Sequence, residues 1–333
     1  MSEEEKLTDL INQASDILVI QADNPDGDSL GSAIALEQIL TGLNKSVTMY
    51  CAVNMPNHLK YLTGWSRVVN ELPDKFDLSI IVDTSAINLL EKTNQNDLNR
   101  IKSKPLIIID HHQTESTIDF AQLIISRLVV ATGEIIYDLS QKLNWPLNRE
   151  AKDMLAISIL SDSLGLMSST TSAHTIRIIA NLVEAGVNLT DIDNLRKETF
   201  RKSPELTRYK GLLLTRIENY LDDRLAIIII PWVEIEKYSP LYNPSVLVIE
   251  DMRLIENNAV SIAIKVYNDG HITGKIRTNS NYPIASKLAE HFSGGGHPYA
   301  SGFKTYDYHI DNLKKEIIDA VTILLKKVDD ETI

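Results

Sequence analysis

The sequence predicts an α/β protein, with a doubly wound, mostly parallel sheet in its first half and a smaller α/β domain after it. Three observations support this fold class. Apolar runs alternate with segments of helical periodicity in the first half, which is the order of the βα units that build a parallel sheet. After about residue 215 the pattern changes to strands and a hairpin. At 333 residues the chain is long enough for two domains.

Four strands are predicted in the first half, each apolar almost throughout, as in strands that helices cover on both faces. They are residues 16–23, 46–53, 78–85 and 105–112. The 3–4–3 spacing of apolar residues from Ala33 to Leu43 predicts a helix between the first two strands. Further helices follow the fourth strand, and serine and threonine residues that favour helix N-termini precede the last of them. They lie at about 131–143, 149–161 and 172–185.

The second half begins with a charged, mostly helical connector at about 186–215. Residues 223–235 then read as a strand, and residues 260–278 read as a hairpin with its turn at Asn268-Asp269-Gly270. A helix at about 283–292 leads into a glycine-rich stretch, and the chain ends in a helix with one apolar face. The predicted organisation is a first domain at 1–190, a helical linker at 191–215 and a second domain at 216–333.

Composition and charge restrict the function. Apolar residues make up 44% and charged residues 23%, as in soluble globular proteins. The formal net charge of −12 argues against a binder of long duplex DNA, which would need many Lys and Arg contacts to phosphates. The acidic N-terminus lacks the pattern of a secretory signal, and the longest aliphatic run, 225–233, is too short to cross a bilayer. With Cys51 as its single cysteine, the protein is predicted to be cytoplasmic, without a membrane segment or an internal disulfide.

Acidic residues and two histidines follow several of the predicted strands and one helix. These residues are Asp26, Asp28, Asp83, Asp110, His111, His112 and Asp162. Ligands of doubly wound sheets bind outside the carboxyl ends of the strands, so these side chains are expected at one edge. Each has an ordinary alternative, since an aspartate after a strand often only caps a helix or a turn, and paired histidines are often structural.

Taken together, the set indicates a metal centre. Several carboxylates at one point repel one another and resist ionisation, and divalent cations convert that cost into binding. Carboxylates and imidazoles without thiolates favour Mn²⁺ or Mg²⁺ over structural zinc. Two such ions can hold a phosphoryl group and activate a water molecule as the nucleophile. The sequence therefore predicts a two-metal phosphoesterase site.

In order along the chain, these motifs resemble those of the DHH phosphoesterase superfamily, and the resemblance covers nearly the whole sequence. The matching segments are NPDGDSLGSA, VDTS, IDHH, SDSLGLMSSTTSAHT, GKIRT and SGGGHPYASGF. The last two resemble the DHH-associated C-terminal domain. The overall likeness is closest to the stand-alone oligoribonuclease (nanoRNase) and 3′-phosphoadenosine-5′-phosphate (pAp) phosphatase group.

The resemblance implies roles for the residues of the first domain. Two Mn²⁺ ions, with Mg²⁺ as an alternative, would be bound by Asp26, Asp28, Asp83, His111 and Asp162. Asp83 would bridge the two ions. Asp110 would orient His111, and His112 would contact the scissile phosphate.

In the C-terminal domain the resemblance implies a substrate site at Gly294, Gly295, Gly296 and His297, with Arg277 beside it. Glycines allow backbone N–H groups to approach a phosphate or a nucleotide closely. Arginine suits phosphate recognition because its guanidinium donates two parallel hydrogen bonds.

The sequence also departs from the family pattern. Ala22 stands where the first motif usually carries a metal-binding histidine, and Asp23 or Gln21 next to it are possible substitutes. Leu164 replaces a usual glycine of the fourth motif, and Ser293 replaces the first glycine of the glycine run. These changes bear on substrate and rate more than on the fold.

The predicted function is metal-dependent hydrolysis of short oligonucleotides or pAp, by two-metal activation of water. A cyclic-dinucleotide phosphodiesterase is a variant that the sequence does not separate from it. The alternative is a nucleotide-binding or regulatory protein that has lost efficient catalysis through Ala22. Expected partners are a short oligonucleotide or a small phosphorylated nucleotide, and a homodimer is left open.

Overall fold

A computed structural model describes residues 2–113, 115–306 and 309–332 of the chain. The chain forms two compact units, residues 1–201 and residues 202–333, here called the N-terminal unit and the C-terminal unit. The division lies within the segment 191–215, whose role as a linker remains a prediction. Within the described residues, every helix is too short or too polar to cross a membrane.

The N-terminal unit is a six-stranded sheet with helices on both faces, which confirms the predicted fold class. Its strands are β1 (Asp16–Ile20), β2 (Ser46–Tyr50), β3 (Val68–Val69), β4 (Leu78–Val82), β5 (Leu106–Asp110) and β6 (Leu123–Ser126). Its helices are α1 (Glu3–Gln13), α2 (Gly27–Gly42), α3 (Gln95–Lys102), α4 (Thr132–Lys142), α5 (Arg149–Asp162), α6 (Ala173–Glu184) and α7 (Leu189–Thr199). The strand order is β3-β2-β1-β4-β5-β6, and every pair is parallel.

The strands of this unit bury both of their faces, because successive side chains of a strand point to opposite sides. In β1, Ile17 and Val19 belong to the larger core with α2, α4 and α5, whereas Leu18 and Ile20 belong to the core on the other face. Helices α2 and α5 approach closely at Gly31, where a Cβ atom would lie 2.9 Å from the Met154 carbonyl oxygen. This close contact fixes the first part of α2 against the middle of α5.

The C-terminal unit has a mixed six-stranded sheet. Its strands are β7 (Glu218–Tyr220), β8 (Leu225–Ile230), β9 (Val260–Val266), β10 (Ile272–Thr278), β11 (Gly295–His297) and β12 (Ala300–Thr305). Its helices are α8 (Pro204–Leu214), α9 (Trp232–Tyr238), α10 (Pro244–Arg253), α11 (Ala285–His291) and α12 (Ile310–Thr332). The order is β11-β12-β10-β9-β8-β7, with only β8 and β9 parallel among the described pairs. The predicted hairpin is confirmed, and Gly270 at its turn has a φ of 86°.

The structure corrects several predicted boundaries. The four strands predicted in the first half each end two or three residues earlier than predicted. The predicted strand 223–235 ends at Ile230, since Pro231 offers no N–H group to a ladder and instead precedes helix α9. The sequence analysis also missed several short strands. These are β3, β6, β7, β11 and β12.

Candidate metal centre

The carboxyl ends of the neighbouring strands β4 and β5 supply the first residues of the site. Asp83 directly follows β4, and its backbone has a φ of 62°, which is unusual for a residue with a side chain. Its carboxylate accepts a hydrogen bond of 3.1 Å from the Thr132 hydroxyl at the start of α4. Such backbone strain at a polar, buried position is typical of a functional residue that its surroundings hold in place.

The second carboxylate comes from the first turn of α2. Asp28 is fully buried, and its oxygens accept hydrogen bonds from the Thr132 N–H (2.7 Å) and the Ser32 hydroxyl (2.9 Å). The Ser158 hydroxyl and the Gly133 N–H are further donors. The N–H groups at the start of helix α4 thus stabilise this buried negative charge.

His111 lies where three carboxylates converge. Its Nε2 atom is 3.3 Å from an oxygen of Asp162, 3.4 Å from one of Asp83 and 3.6 Å from one of Asp28. Its other nitrogen, Nδ1, is 3.3 Å from the Val129 carbonyl oxygen, which accepts a hydrogen bond from it. That contact leaves Nε2 facing the carboxylates.

Asp110 pairs with His112 and not with His111, so the expectation that Asp110 orients His111 is wrong. The Asp110 carboxylate lies 2.7 Å from His112 Nδ1 and also accepts the His112 backbone N–H at 3.2 Å. The physical reason is strand geometry: residues one apart point to opposite faces, whereas residues two apart share a face. The Val129 carbonyl takes the orienting role for His111 instead.

The electrostatics of the site explain why a cation would bind there. Burial raises the pKa of Asp28, and the charge of Asp162 adds to the increase. The pKa of Asp83 is raised well above its usual value, first by burial and then by Asp28. Burial alone would lower the pKa of His111, but the surrounding Asp162, Asp83 and Asp28 raise it to about 11. The centre therefore retains protons that a divalent cation would displace.

The donor set fits a divalent cation. Oxygen and nitrogen atoms of Asp28, His111 and Asp162 lie within 4.8 Å of one another, and so do those of Asp83, His111 and His112. His111 Nε2 is buried and makes no hydrogen bond to any described residue. Carboxylates and imidazoles without a thiolate suit Mn²⁺ or Mg²⁺.

The first predicted ligand, Asp26, is placed differently from the others. It is exposed, it caps α2 by accepting the Ser29 N–H at 3.0 Å, and it lies outside both groups of candidate ligands. It is nevertheless close enough to Asp83 to raise the pKa of that carboxyl. Its role as a ligand remains a prediction.

Ala22 stands at the position of the usual metal-binding histidine, and its side chain cannot serve as a ligand. Ala22 is buried, and its carbonyl oxygen accepts a hydrogen bond from the Cys51 thiol at 3.3 Å. Burial raises the pKa of that thiol to about 11. Of the possible substitutes, Asp23 accepts the Lys92 N–H, while the fully buried Gln21 amide bonds to no described residue. Neither belongs to the two groups of candidate ligands.

A cavity of about 580 Å³ opens beside Asp26 within the N-terminal unit. Its wall is largely apolar and includes Tyr61, Leu160 and Ile192, with Arg196 as a cationic group. Volumes of this size are typical of small-molecule sites. The cavity could therefore accept an organic group attached to a phosphate at the metal centre.

The C-terminal unit brings together the remaining predicted residues. Arg277 of β10 pairs with Ala300 of β12, and Ala300 pairs in turn with His297 of β11. Arg277 and His297 thus lie in one row on one face of the sheet. The glycines Gly294, Gly295 and Gly296 immediately precede His297. Gly296 has a φ of 141°, and a Cβ atom there would lie 2.7 Å from the Ala300 carbonyl oxygen, so this position requires glycine.

Sequence reasoning missed the residues that hold the metal-site side chains. Thr132 and Ser158 bind the buried aspartates, and Val129 orients His111. The available signal was the Thr132-Gly133 pair at the start of a predicted helix, where free N–H groups attract anions. Gly133 is required because a Cβ atom there would clash with the Ser158 hydroxyl.

Comparison with known proteins identifies the family. The sequence profile of the DHH family N-terminal domain matches residues 16–159, and that of the DHHA1 domain matches residues 244–327. The chain carries a DHH family N-terminal domain followed by a DHHA1 domain. The resemblance drawn from the motifs is thereby confirmed.

Two curated relatives each match most of this chain, but the match covers very different shares of the two relatives. The bifunctional oligoribonuclease and PAP phosphatase NrnA of Mycoplasma genitalium is 24% identical over 320 residues, which cover 96% of this chain and 95% of the relative. The A-adding tRNA nucleotidyltransferase of Aquifex aeolicus is 25% identical over 300 residues, or 90% of this chain. The match spans only 34% of that nucleotidyltransferase.

Solved structures show the same fold. An exopolyphosphatase-related protein from Bacteroides fragilis superposes with a TM-score of 0.78 at 22% identity, covering 97% of both chains. RecJ from Thermus thermophilus, solved in complex with Mn²⁺, gives a TM-score of 0.51 at 16% identity and covers 96% of this chain and 54% of RecJ.

Proposed function

We propose that the DHH protein is a metal-dependent phosphodiesterase and phosphatase that hydrolyses short oligonucleotides or pAp. The observation that carries the proposal is the convergence of the Asp28, Asp83 and Asp162 carboxylates on His111 Nε2. The relative from Mycoplasma genitalium, which matches the chain over nearly its full length, is named for both activities.

The cofactor that we propose is a pair of Mn²⁺ ions, with Mg²⁺ as the alternative. Asp28, Asp83, His111 and Asp162 would hold them, with Asp26 contributing from the start of α2. When bound, the ions would supply Lewis acidity and a water nucleophile. The ligand chemistry and the Mn²⁺ complex of RecJ support this choice.

His112 and Asp110 act on the substrate side of the site. The hydrogen bond that His112 Nδ1 donates to Asp110, together with the charge of Asp110, raises the pKa of His112 and so favours its protonated form. His112 is half exposed and can donate a hydrogen bond to a phosphate oxygen. Asp110 is a positioning residue, since it holds the ring through Nδ1 and leaves Nε2 for the ligand.

The features of the chain outside the centre support a small substrate. The cavity beside Asp26 has the size of a nucleoside site, and Arg277 and His297 offer donors to an anion. The net charge of −12 disfavours a long duplex.

A second candidate is a nucleotide-binding protein without efficient turnover. Ala22 supports it, because the site lacks the usual histidine and neither Gln21 nor Asp23 joins the described ligand groups. In that case one ion would bind at Asp28, His111 and Asp162, and the substrate would remain intact.

The test uses the full chain, loaded with Mn²⁺ or Mg²⁺ and offered 5′-phosphorylated dinucleotides, pAp, cyclic dinucleotides and a long duplex. We expect mononucleotide or phosphate to be released from the dinucleotides or pAp and the duplex to remain uncut. A D83N variant purified in parallel measures contaminating nuclease. Turnover by the natural chain that does not exceed that of D83N on any substrate would refute the proposal.

The A22H variant separates the two candidates. If the natural chain is a binder, A22H creates turnover where there was none, and bound Mn²⁺ measured by elemental analysis rises from one ion per chain to two. If the natural chain is an active enzyme, it already binds two ions, and A22H changes the rate without changing the metal count.

A further inference from the structure

Glu134, the third residue of α4, is a buried carboxylate that belongs to neither group of candidate metal ligands. It is only 1% exposed, and its described hydrogen-bond partner is a hydroxyl group and not a cation. Glutamate is almost never fully buried without a charged partner, because removing a carboxylate from water is costly. Glu134 directly follows Thr132 and Gly133, whose N–H groups bind Asp28. A role in the metal site would explain the burial.

The first turn of α4 is capped by the metal site and not by a residue of its own. Its N-cap residue, Ala131, has no side chain that could accept a hydrogen bond. The N–H groups of Thr132 and Gly133 donate to Asp28 at 2.7 Å and 3.3 Å, and the Thr132 hydroxyl donates to Asp83 at 3.1 Å. The position of this turn therefore determines where the two buried aspartates lie.

Glu134 connects this turn to helix α6. A glutamate at the third position of a helix commonly reaches back to the N-cap N–H group. The Glu134 carboxylate accepts a hydrogen bond of 2.9 Å from the hydroxyl of Thr175, which is fully buried. Thr175 is the third residue of α6, and its oxygen accepts the Ser172 N–H at 3.2 Å. The carboxylate thus lies at the N-terminus of α6, where the helix dipole favours a negative charge.

We propose that Glu134 is a positioning residue of the metal centre. By binding Thr175, it holds the first turn of α4 in the place from which that turn orients the two buried aspartates. Loss of a partner that orients a metal ligand typically weakens metal binding by about 10- to 100-fold. Glu134 acts through the backbone of α4, so the effect should lie at the lower end of that range. The inference rests on the proposed function in assigning the metal to Asp28 and Asp83.

The main test measures the affinity of the full chain for Mn²⁺ by calorimetry, without substrate. E134L and T175V each remove one partner of the contact and should weaken Mn²⁺ binding by about tenfold. E134Q and T175S keep an acceptor and a hydroxyl, so they should bind Mn²⁺ almost as the natural chain does. The double variant E134L/T175V should bind no more weakly than either single variant, because both changes remove the same contact.

D138N is the matched control. Asp138 and His174 form a second contact between α4 and α6, at 2.9 Å, but both side chains are about half exposed. D138N should leave the affinity for Mn²⁺ unchanged. A residue that only stabilises the fold would not alter the affinity of folded chains, and circular dichroism verifies that each variant is folded. If E134L does not fold, T175V and T175S decide.

Hydrogen exchange of the full chain in EDTA keeps this inference separate from the proposed function. The N–H groups of Thr132 and Gly133 should exchange about tenfold faster in E134L and T175V, as for the loss of one buried hydrogen bond, and at the natural rate in D138N. If the natural chain binds no Mn²⁺, the proposed function fails, and this exchange alone decides the present inference. Natural exchange rates in both variants, or a natural affinity for Mn²⁺ in both, would overturn it.

Discussion

The two sheets of the protein present their polar groups in different ways. The parallel sheet of the N-terminal unit keeps both faces apolar and concentrates acids at one edge, where Asp28 and Asp83 are buried. The mixed sheet of the C-terminal unit carries cations on one face, and Lys265 is buried there. Burial is therefore unfavourable for charged groups in both units, for carboxylates in the first and for a lysine in the second. Proteins tolerate such a cost in stability at sites of function.

The largest effect on activity is expected at Asp83, at the acidic edge of the N-terminal sheet. D83N should reduce kcat by at least about 10³-fold, because it removes a central metal ligand. The same change should raise the melting temperature of the protein in EDTA. A carboxyl whose pKa is raised by folding destabilises the fold at every pH above its unfolded value, and the amide lacks that charge. Activity assays and thermal unfolding followed by circular dichroism measure the two effects.

D119N is the control for this prediction, since Asp119 is an exposed aspartate of the same unit. It should change neither activity nor stability. A lower melting temperature for metal-free D83N would show that Asp83 does not carry a destabilising charge.

A smaller effect is expected at Lys265 of β9, which lies on the same face of the C-terminal sheet as Arg277. K265M should raise the free energy of unfolding of the C-terminal unit by about 1 kcal/mol at pH 7, because burial of this side chain makes its positive charge costly. Folding lowers the pKa of Lys265, so the unfolded chain binds its proton more tightly and the cost is present at neutral pH. The free energy of unfolding of the natural chain should therefore approach that of K265M as the pH rises towards the ordinary lysine pKa of about 10.4.

Urea unfolding followed by tryptophan fluorescence at pH 7 and pH 10 measures this difference. The control is K327M, at an exposed lysine of α12, which should unfold like the natural chain at both pH values. If the difference in unfolding free energy between K265M and the natural chain stays constant with pH, the charge of Lys265 is not its cause.

The smallest effect on stability is expected at one backbone position in each unit. Leu164 (φ 53°) and Ser293 (φ 58°) adopt left-handed conformations, and the family resemblance predicts glycine at both. L164G and S293G should each raise the unfolding free energy by up to about 1 kcal/mol, because glycine adopts this conformation without strain and its greater freedom when unfolded offsets only part of the gain. Denaturant titration measures both variants.

Leu164 is 74% exposed, so little apolar burial is lost on replacing it. The control is L128G, at an equally exposed leucine without a positive φ, which should lower stability. If L164G behaves like L128G, backbone strain at Leu164 is not a measurable cost.

The sequence predicted the parallel sheet well, since strands such as 78–82 and 106–110 are long apolar runs that only a two-sided core explains. It did not reveal β6 or β11. The first is an edge strand with alternating burial, and the second consists of glycines and a histidine without strand propensity. Such strands form because a neighbouring strand offers hydrogen bonds, and a local pattern does not contain that information.

The candidate site was predicted to the level of residues but not of contacts. Asp83, His111 and Asp162 stand at the ends of elements that the apolar pattern defines, so their convergence could be foreseen. The partners of Asp28 could not, because Thr132 and Ser158 come from helices more than 100 residues further along the chain. The pairing of Asp110 with His112 was mispredicted although the period of a strand determines it.

Cys51 gives the protein a built-in reporter of motion. Its thiol is buried against the Ala22 carbonyl, and its high pKa keeps it almost entirely protonated near neutrality. Alkylating reagents require a thiolate in contact with solvent, so native labelling can proceed only when the first motif locally opens. The rate of labelling at this single cysteine therefore measures how often the edge of the N-terminal sheet beside the acidic centre opens transiently, and no engineered probe is needed.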